Sequence, residues 1–90
     1  MEFRSPVRLI LYETPWCPFC IRVRHVIREL GVQVESRDVR QPEARAELVR
    51  ARGRGTVPVL RIVRPGRDEW MPESADIVSY LRREFAVVPG

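Results

Sequence analysis

The only two cysteines of the chain, Cys17 and Cys20, stand three positions apart in the run Trp16-Cys17-Pro18-Phe19-Cys20. If a helix begins at Pro18, the first sulfur sits where unpaired backbone N–H groups and the positive end of the helix dipole stabilise a thiolate. Cys20 then lies one turn further along the same face, in reach of a mixed disulfide formed at Cys17. The chemistry this spacing serves is thiol–disulfide exchange, with Cys17 as nucleophile and Cys20 as resolving thiol. Pro18 suits a first helical turn, where a missing N–H costs nothing, and Pro15-Trp16 forces an extended approach that exposes the Cys17 sulfur.

Two other uses of the pair carry less. A zinc site needs four ligands, and the one further soft donor is His25, which falls outside the packed stripe of its helix and reads as a surface residue. Inert packing is the third reading. Cysteines this close cannot staple distant segments, so the disulfide framework of a secreted mini-protein does not apply.

The cysteines need a strand before them and a helix after them, and the flanking sequence supplies both. Val7-Arg8-Leu9-Ile10-Leu11-Tyr12 is a nearly continuous apolar run ended by Thr14-Pro15, as expected of a strand buried on both faces. Beyond the motif, Phe19, Val23, Val26, Ile27 and Leu30 recur at helical spacing, with Arg22, Arg24, Arg28 and Glu29 on the other face and Gly31 as the stop. Val32 to Glu35, extending weakly to Val39, alternates like a half-open strand. Pro42 to Arg52 forms a short helix whose apolar positions are Ala44, Leu48, Val49 and Ala51; Glu43 near its start and Arg50 and Arg52 near its end complement the dipole. Gly53 and Gly55 break it.

Val57 to Val63 reads as a strand, Pro65-Gly66 as a turn, and the residues around Trp70-Met71 as the returning strand of a hairpin. Pro72-Glu73-Ser74 opens a last helix that turns Ile77, Val78, Tyr80, Leu81 and Phe85 inward, before a tail ending in Pro89-Gly90. The predicted order is βαβαββα, and right-handed crossovers place helices on both faces of one mixed sheet. Trp70 and Tyr80 are expected to pack, Trp16 to form an exposed rim beside the cysteines, and Phe19 to make a core contact.

Thr56-Val57-Pro58 is a second signal, open to two readings. Pro58 is either a plain strand-start residue, or the second partner of a cis bond that lets Val57 offer its backbone N–H and C=O to a bound peptide.

Ninety residues with 44% hydrophobic and 31% charged content describe one globular domain, residues 1–90, with no room for a second. On folding it buries roughly 60% of the unfolded surface, so its stability is expected to be modest. The net charge of +4 comes wholly from sixteen arginines, with no lysine, and is read as a solvated basic surface. The interleaved Glu43, Glu47, Asp68 and Glu69 interrupt any phosphate-binding stripe, so nucleic acid is not an expected partner despite Arg52-Gly53-Arg54-Gly55. Val7 to Tyr12 is too short for a membrane span and no small-residue cleavage site follows, so a cytoplasmic, membrane-free protein is expected, as a monomer.

Taken together, Tyr12 through Cys20, the passage Arg54-Gly55-Thr56-Val57-Pro58 and the helix opening Glu73-Ser74-Ala75-Asp76 resemble glutaredoxins over Val7 to Phe85. The last segment is also similar to the glutathione-binding domain of glutathione transferases. The Cys-Pro-aromatic-Cys form matches dithiol glutaredoxins, whereas thioredoxins typically carry Gly-Pro between their cysteines. The resemblance implies a thioredoxin fold, with glutathione as co-substrate, no permanently bound cofactor and no metal. It implies a role in electron transport and cell redox homeostasis, acting on disulfide-containing or glutathionylated proteins and small mixed disulfides.

By the same similarity, Val57 beside a cis Pro58 pairs with the cysteinyl segment of glutathione, bordered by Thr56. Glu73 and Ser74 meet the γ-glutamyl end, through helix N–H groups for its carboxylate and through Glu73 or Asp76 for its ammonium; the plainer reading of Glu73-Ser74 is a helix cap. Glutaredoxins usually place a lysine three residues before the first cysteine to attract the glycyl carboxylate, and this chain has Thr14 there. Arg54 or Arg52 is the expected substitute, at the cost of weaker glutathione affinity than is usual in the family.

Three rival functions stand beside this one. A redoxin reduced by a flavoprotein reductase would donate electrons to an enzyme such as ribonucleotide reductase. An iron–sulfur carrier would hold a [2Fe–2S] cluster between two subunits through Cys17-type thiolates and glutathione. A transferase acting on electrophiles would need the helical domain for which ninety residues leave no space.

Overall fold

The structure, a computed structural model, describes residues 7–85. The chain runs β1 (Arg8–Glu13), α1 (Pro18–Leu30), β2 (Glu35–Asp38), α2 (Pro42–Arg52), β3 (Val59–Arg64), β4 (Arg67–Met71) and α3 (Ser74–Phe85), in the predicted order. The strands form one sheet in the order β2-β1-β3-β4, with β1 parallel to β2 and antiparallel to β3, and β3 antiparallel to β4. This is the α/β thioredoxin fold.

The two-residue period of the strands sorts the core into two halves. Leu9 and Leu11 of β1, with Leu60 and Ile62 of β3, point to the face covered by α1 and α3 and pack against Val23, Val26, Ile77 and Leu81. Ile10, Tyr12 and Val59 point the other way and pack on Ala44 and Leu48 of α2. Because both faces of β1 are covered, four consecutive residues, Leu9 to Tyr12, are buried. Tyr80 is buried, and Trp70 packs on the α2 side with its ring 5.3 Å from that of Tyr12.

The elements end where backbone chemistry makes them end. Gly31 and Gly53 cap α1 and α2 in the left-handed conformation, at φ 68° and 76°, which only glycine adopts without steric penalty. Pro65-Gly66 closes the β3–β4 hairpin.

Several boundaries and faces differ from expectation. The second strand begins at Glu35, not Val32: pairing with β1 starts at Ile10↔Glu35, so Val32 and Val34 reach the α1 side of the core without joining the ladder. The third strand begins at Val59, because Pro58 has no N–H for a ladder. Val49 is 39% exposed and Ala51 is exposed, so α2 buries only the Ala44–Leu48 line; an eleven-residue helix lying across one sheet face has a single narrow contact stripe. Phe19 is 59% exposed, so the expected core contact is wrong; the inward position in that turn belongs to Cys20, one residue on. The expected tail at Pro89-Gly90 lies outside the described residues.

Candidate active site

The register gathers the candidate residues at one end of the sheet. Tyr12 pairs with Val59 and Leu60 with Met71, so the end of β1, the start of β3 and the end of β4 share one edge. From that edge leave the loop carrying Thr14 to Cys17, the loop of Thr56 to Pro58, and the segment Pro72-Glu73 leading into α3. Three stretches separated by about forty and then fifteen residues of chain become neighbours through strand pairing alone.

Cys17 is the N-cap of α1, in extended conformation (φ −77°, ψ 120°), and Pro18 occupies the first turn. Its sulfur accepts the Cys20 backbone N–H at 3.4 Å, the role a serine or aspartate oxygen plays at other helix starts. The first turn holds no acidic residue, so nothing on the helix cancels the positive end of its dipole. Partial burial works against the Cys17 thiolate. The backbone N–H of Cys20, the Cys20 thiol, the backbone N–H of Phe19 and the charge of Arg24 outweigh it and hold the Cys17 pKa below its ordinary value.

Cys20 is the opposite case. It is fully buried, and burial pushes its thiol up to about 12 against the opposing backbone N–H of Thr14; the hydrogen bond to Cys17 and the negative charge on that sulfur raise it further. The two sulfurs therefore sit in opposite environments: Cys17 is half-exposed with its pKa held down, and Cys20 is buried with its pKa raised. Because the two titrate as a coupled pair, a pH titration of thiolate absorbance on the reduced protein is expected to show two widely separated steps, the first below the usual thiol range and the second near 12. One step of double amplitude in the usual range would contradict the assignment.

The other candidates fall into place unevenly. Thr14 is half-buried, and its backbone N–H reaches the Cys20 sulfur. Trp16 is 82% exposed, and Phe19 and Ile21 nearby in the chain are exposed as well, as expected of the rim assigned to Trp16. The Val57–Pro58 bond is cis, the isomer of the second reading of Pro58; Pro58 is buried, Val57 packs half-buried against the α2-side core, and Thr56 is exposed. The Glu73 carbonyl accepts the Ile77 N–H at 2.9 Å, so Glu73 starts the last helix, with exposed Asp76 in its first turn and Ser74 half-buried. Arg52 and Arg54 are exposed on either side of Gly53 and have no ion-pair partner among the described residues.

One group escaped the sequence reading. Arg24, expected on the outer face of α1, turns toward β1, where it pairs with Glu13 and donates to the Pro15 carbonyl at 3.2 Å. Glu13 is buried and also accepts from the Ser36 hydroxyl of β2. An acid closing an apolar strand was the available signal, since a buried carboxylate requires a partner. The large open grooves of the surface, about 840 Å³ between α1 and β2 and about 610 Å³ between β2 and α2, include neither cysteine.

The family model for the glutathione S-transferase N-terminal domain matches residues 11–89. The chain belongs to that family. A glutaredoxin of Pseudomonas aeruginosa is 40% identical over 55 residues, 60% of this chain and 66% of that protein, in accord with the resemblance carried by Cys-Pro-Phe-Cys. TDR1 of Leishmania, described as a trimeric glutathione transferase, is 35% identical with a TM-score of 0.72, covering 87% of this chain and 18% of its own. A maleylacetoacetate isomerase of Anaeromyxobacter dehalogenans, solved with dicarboxyethyl glutathione and citrate bound, is 25% identical with a TM-score of 0.72, covering 97% of this chain and 42% of its own. The chain thus spans under two thirds of the length of each of these family relatives.

Proposed function

We propose that this chain is a glutathione-linked thiol–disulfide oxidoreductase of the glutaredoxin kind, reducing glutathionylated proteins and small mixed disulfides through Cys17 and Cys20. Similarity to glutathione transferases and to a glutaredoxin supports glutathione-linked chemistry, redox or transferase. The observation that favours the redox branch is the pairing of an accessible, readily ionised Cys17 with a buried Cys20 hydrogen-bonded to it. A transferase needs one activated thiol, that of glutathione; a second protein sulfur beneath the first has a use only in exchange.

In the proposed cycle the Cys17 thiolate attacks the glutathionyl sulfur of a mixed disulfide. A Cys17–glutathione bond forms, the substrate S–S bond breaks, and the substrate leaves as a thiolate that takes a proton from water. The thiolate of a second glutathione then attacks that sulfur, giving glutathione disulfide and restoring the Cys17 thiolate. Cys20 offers a parallel exit: burial is the main hold on its proton and the Cys17 charge a lesser one that is gone in the adduct, so the Cys20 sulfur attacks Cys17, its proton passes to the departing glutathione thiolate, and a Cys17–Cys20 disulfide closes that two further glutathiones reduce.

Glutathione would lie along the edge shared by β1, β3 and β4. Its cysteinyl segment pairs with the Val57 backbone beside Thr56 and Pro58, its γ-glutamyl end meets Glu73 and Ser74, and Trp16 and Thr14 border the sulfur. With Thr14 offering no cation, Arg54, aided by Arg52, takes the glycyl carboxylate. Arg54→Ala is expected to raise the KM for glutathione about three- to fivefold with kcat little changed, the worth of one exposed ion pair. An unchanged KM in the Arg52→Ala/Arg54→Ala double variant would remove both arginines from the site.

The deciding assay combines glutathione, its reductase, NADPH and a glutathionylated peptide, run beside a flavoprotein thiol reductase with the same acceptor. Turnover with glutathione supports the proposal; turnover only with the flavoprotein replaces it with the rival electron source. The reading places the protein in the cytoplasm, where the glutathione pool is kept reduced, and lets it act as a monomer on acceptor proteins.

A further inference from the structure

The sulfur of Cys17 rests on a loop that the helix following it holds from below. Arg24, two turns beyond Cys17 on α1, is bound at both ends of its guanidinium: one nitrogen pairs with Glu13 and the other donates to the carbonyl of Pro15, 3.2 Å away and two residues before the nucleophile. Glu13 itself cannot drift. Its side chain is 5% exposed, one carboxylate oxygen is taken by Arg24, and the other accepts from Ser36 on the neighbouring strand. The arrangement ties α1, β1, β2 and the Pro15-Trp16 bend into one unit around a buried carboxylate and its half-buried guanidinium partner.

We propose that Arg24 is the positioning residue of the reactive sulfur: clamped between the Glu13 carboxylate and the Pro15 carbonyl, it fixes the loop that presents Cys17 and holds a permanent cation behind it. This deepens the assignment of Cys17 as nucleophile and rests on it. A guanidinium suits the task because it carries its charge at every accessible pH and its fork binds a carboxylate and a carbonyl at once, whereas an ammonium is a single point of charge. Buried charge pairs often add little net stability, since desolvation offsets the attraction. The Glu13–Arg24 pair is therefore better explained by where it puts the cation than by what it adds to folding.

The charges around the site are few enough to separate. From α1 the sulfur meets Arg24 and the Cys20 thiol, and from β1 the Glu13 charge acts on Cys20 and tempers Arg24. β2 contributes the Ser36 hydroxyl to Glu13, while its Glu35 is occupied by Arg8 and Arg37. Glu73 and Asp76 at the start of α3, and Arg54 before β3, are exposed on their own loops and unchanged in the variants below.

Two substitutions break the same pair and move the sulfur in opposite directions. Arg24→Gln removes the cation and leaves Glu13 negative, so the midpoint of thiolate formation at Cys17 is expected to rise by about half a pH unit, with a roughly threefold slower alkylation at a pH below that midpoint. Glu13→Gln keeps the shape, with its amide oxygen accepting from Arg24 and its amide N–H now donating to the Ser36 hydroxyl, but leaves Arg24 unopposed, so the midpoint is expected to fall by a similar amount. A structural role alone would loosen the loop in both variants and shift both midpoints the same way.

The measurement is thiolate absorbance against pH, with alkylation by iodoacetamide as a second readout and circular dichroism to verify folding. If Arg24→Gln does not fold because it orphans a buried carboxylate, Glu13→Gln and the uncharged Glu13→Gln/Arg24→Gln double variant carry the test. The double variant is expected to titrate above Glu13→Gln alone. Equal midpoints in those two, or shifts of one sign in both single variants, overturn the proposal. None of these readouts involves glutathione, so their failure is distinguishable from failure of the glutaredoxin-type activity.

Discussion

Cys17→Ser is expected to reduce turnover of a glutathionylated substrate to background, a loss of about a thousandfold or more, because a serine hydroxyl at the start of α1 is neither ionised near neutral pH nor a partner for S–S exchange. Cys20→Ser is expected to behave quite differently. Cys20 is buried with its pKa pushed up to about 12, so in the reduced protein it stays protonated and its main act is to donate to Cys17. A serine there still donates, and free glutathione resolves the adduct in its place, so activity persists. Cys20→Ala separates the two effects: it lacks the donor, and the Cys17 thiolate should form at higher pH than in Cys20→Ser. Equal activity in the Cys17→Ser variant and the native protein would leave the cysteine mechanism without support.

The second large effect concerns the scaffold. Leu60 is fully buried where β3 lies between β1 and β4, paired with Leu11 on one side and Met71 on the other, and it packs into the core beneath α1 and α3. Leu60→Ala is expected to cost about 2–5 kcal/mol through lost burial and the cavity left behind. A domain of this size holds on the order of 5 kcal/mol or somewhat more, so the variant should be partly unfolded at physiological temperature. Urea unfolding reads the change as a lower midpoint with an unchanged slope. Since Leu60 sits two residues past Pro58, slower alkylation of Cys17 without any loss of stability would instead make it a local support of the site.

Much of the molecule was legible before any coordinates. The order βαβαββα followed from three helical stretches, two apolar runs, one weakly alternating strand and a hairpin turn, and the helix ends followed from Pro18, Pro42, Gly31 and Gly53, because proline and glycine act through local backbone geometry. The contrast between the cysteines was legible in part: Cys17 precedes a helix and Cys20 lies one turn inside it, whereas the full burial of Cys20 was set by the docking of α1 on the sheet. Phe19 misled because periodicity defines a stripe without fixing its edge. Phe19 and Cys20 are adjacent and about 100° apart around the helix axis, and only docking onto the sheet decides which turns inward.

Arg24 and Glu13 show where local reasoning ends. A charged residue on an amphipathic helix reads as solvated, and an acid at a strand end reads as a boundary; that the two meet depends on the angle at which α1 crosses β1. The gathering of Cys17, Val57 and Glu73 at one edge likewise depends on the registers Tyr12↔Val59 and Leu60↔Met71. The chain by itself determined where the two sulfurs stand and what backbone presents them, since both are matters of residue type and near neighbours. Which distant groups surround those atoms was decided by tertiary structure alone, because strand pairing and helix docking are set by burial of the whole core.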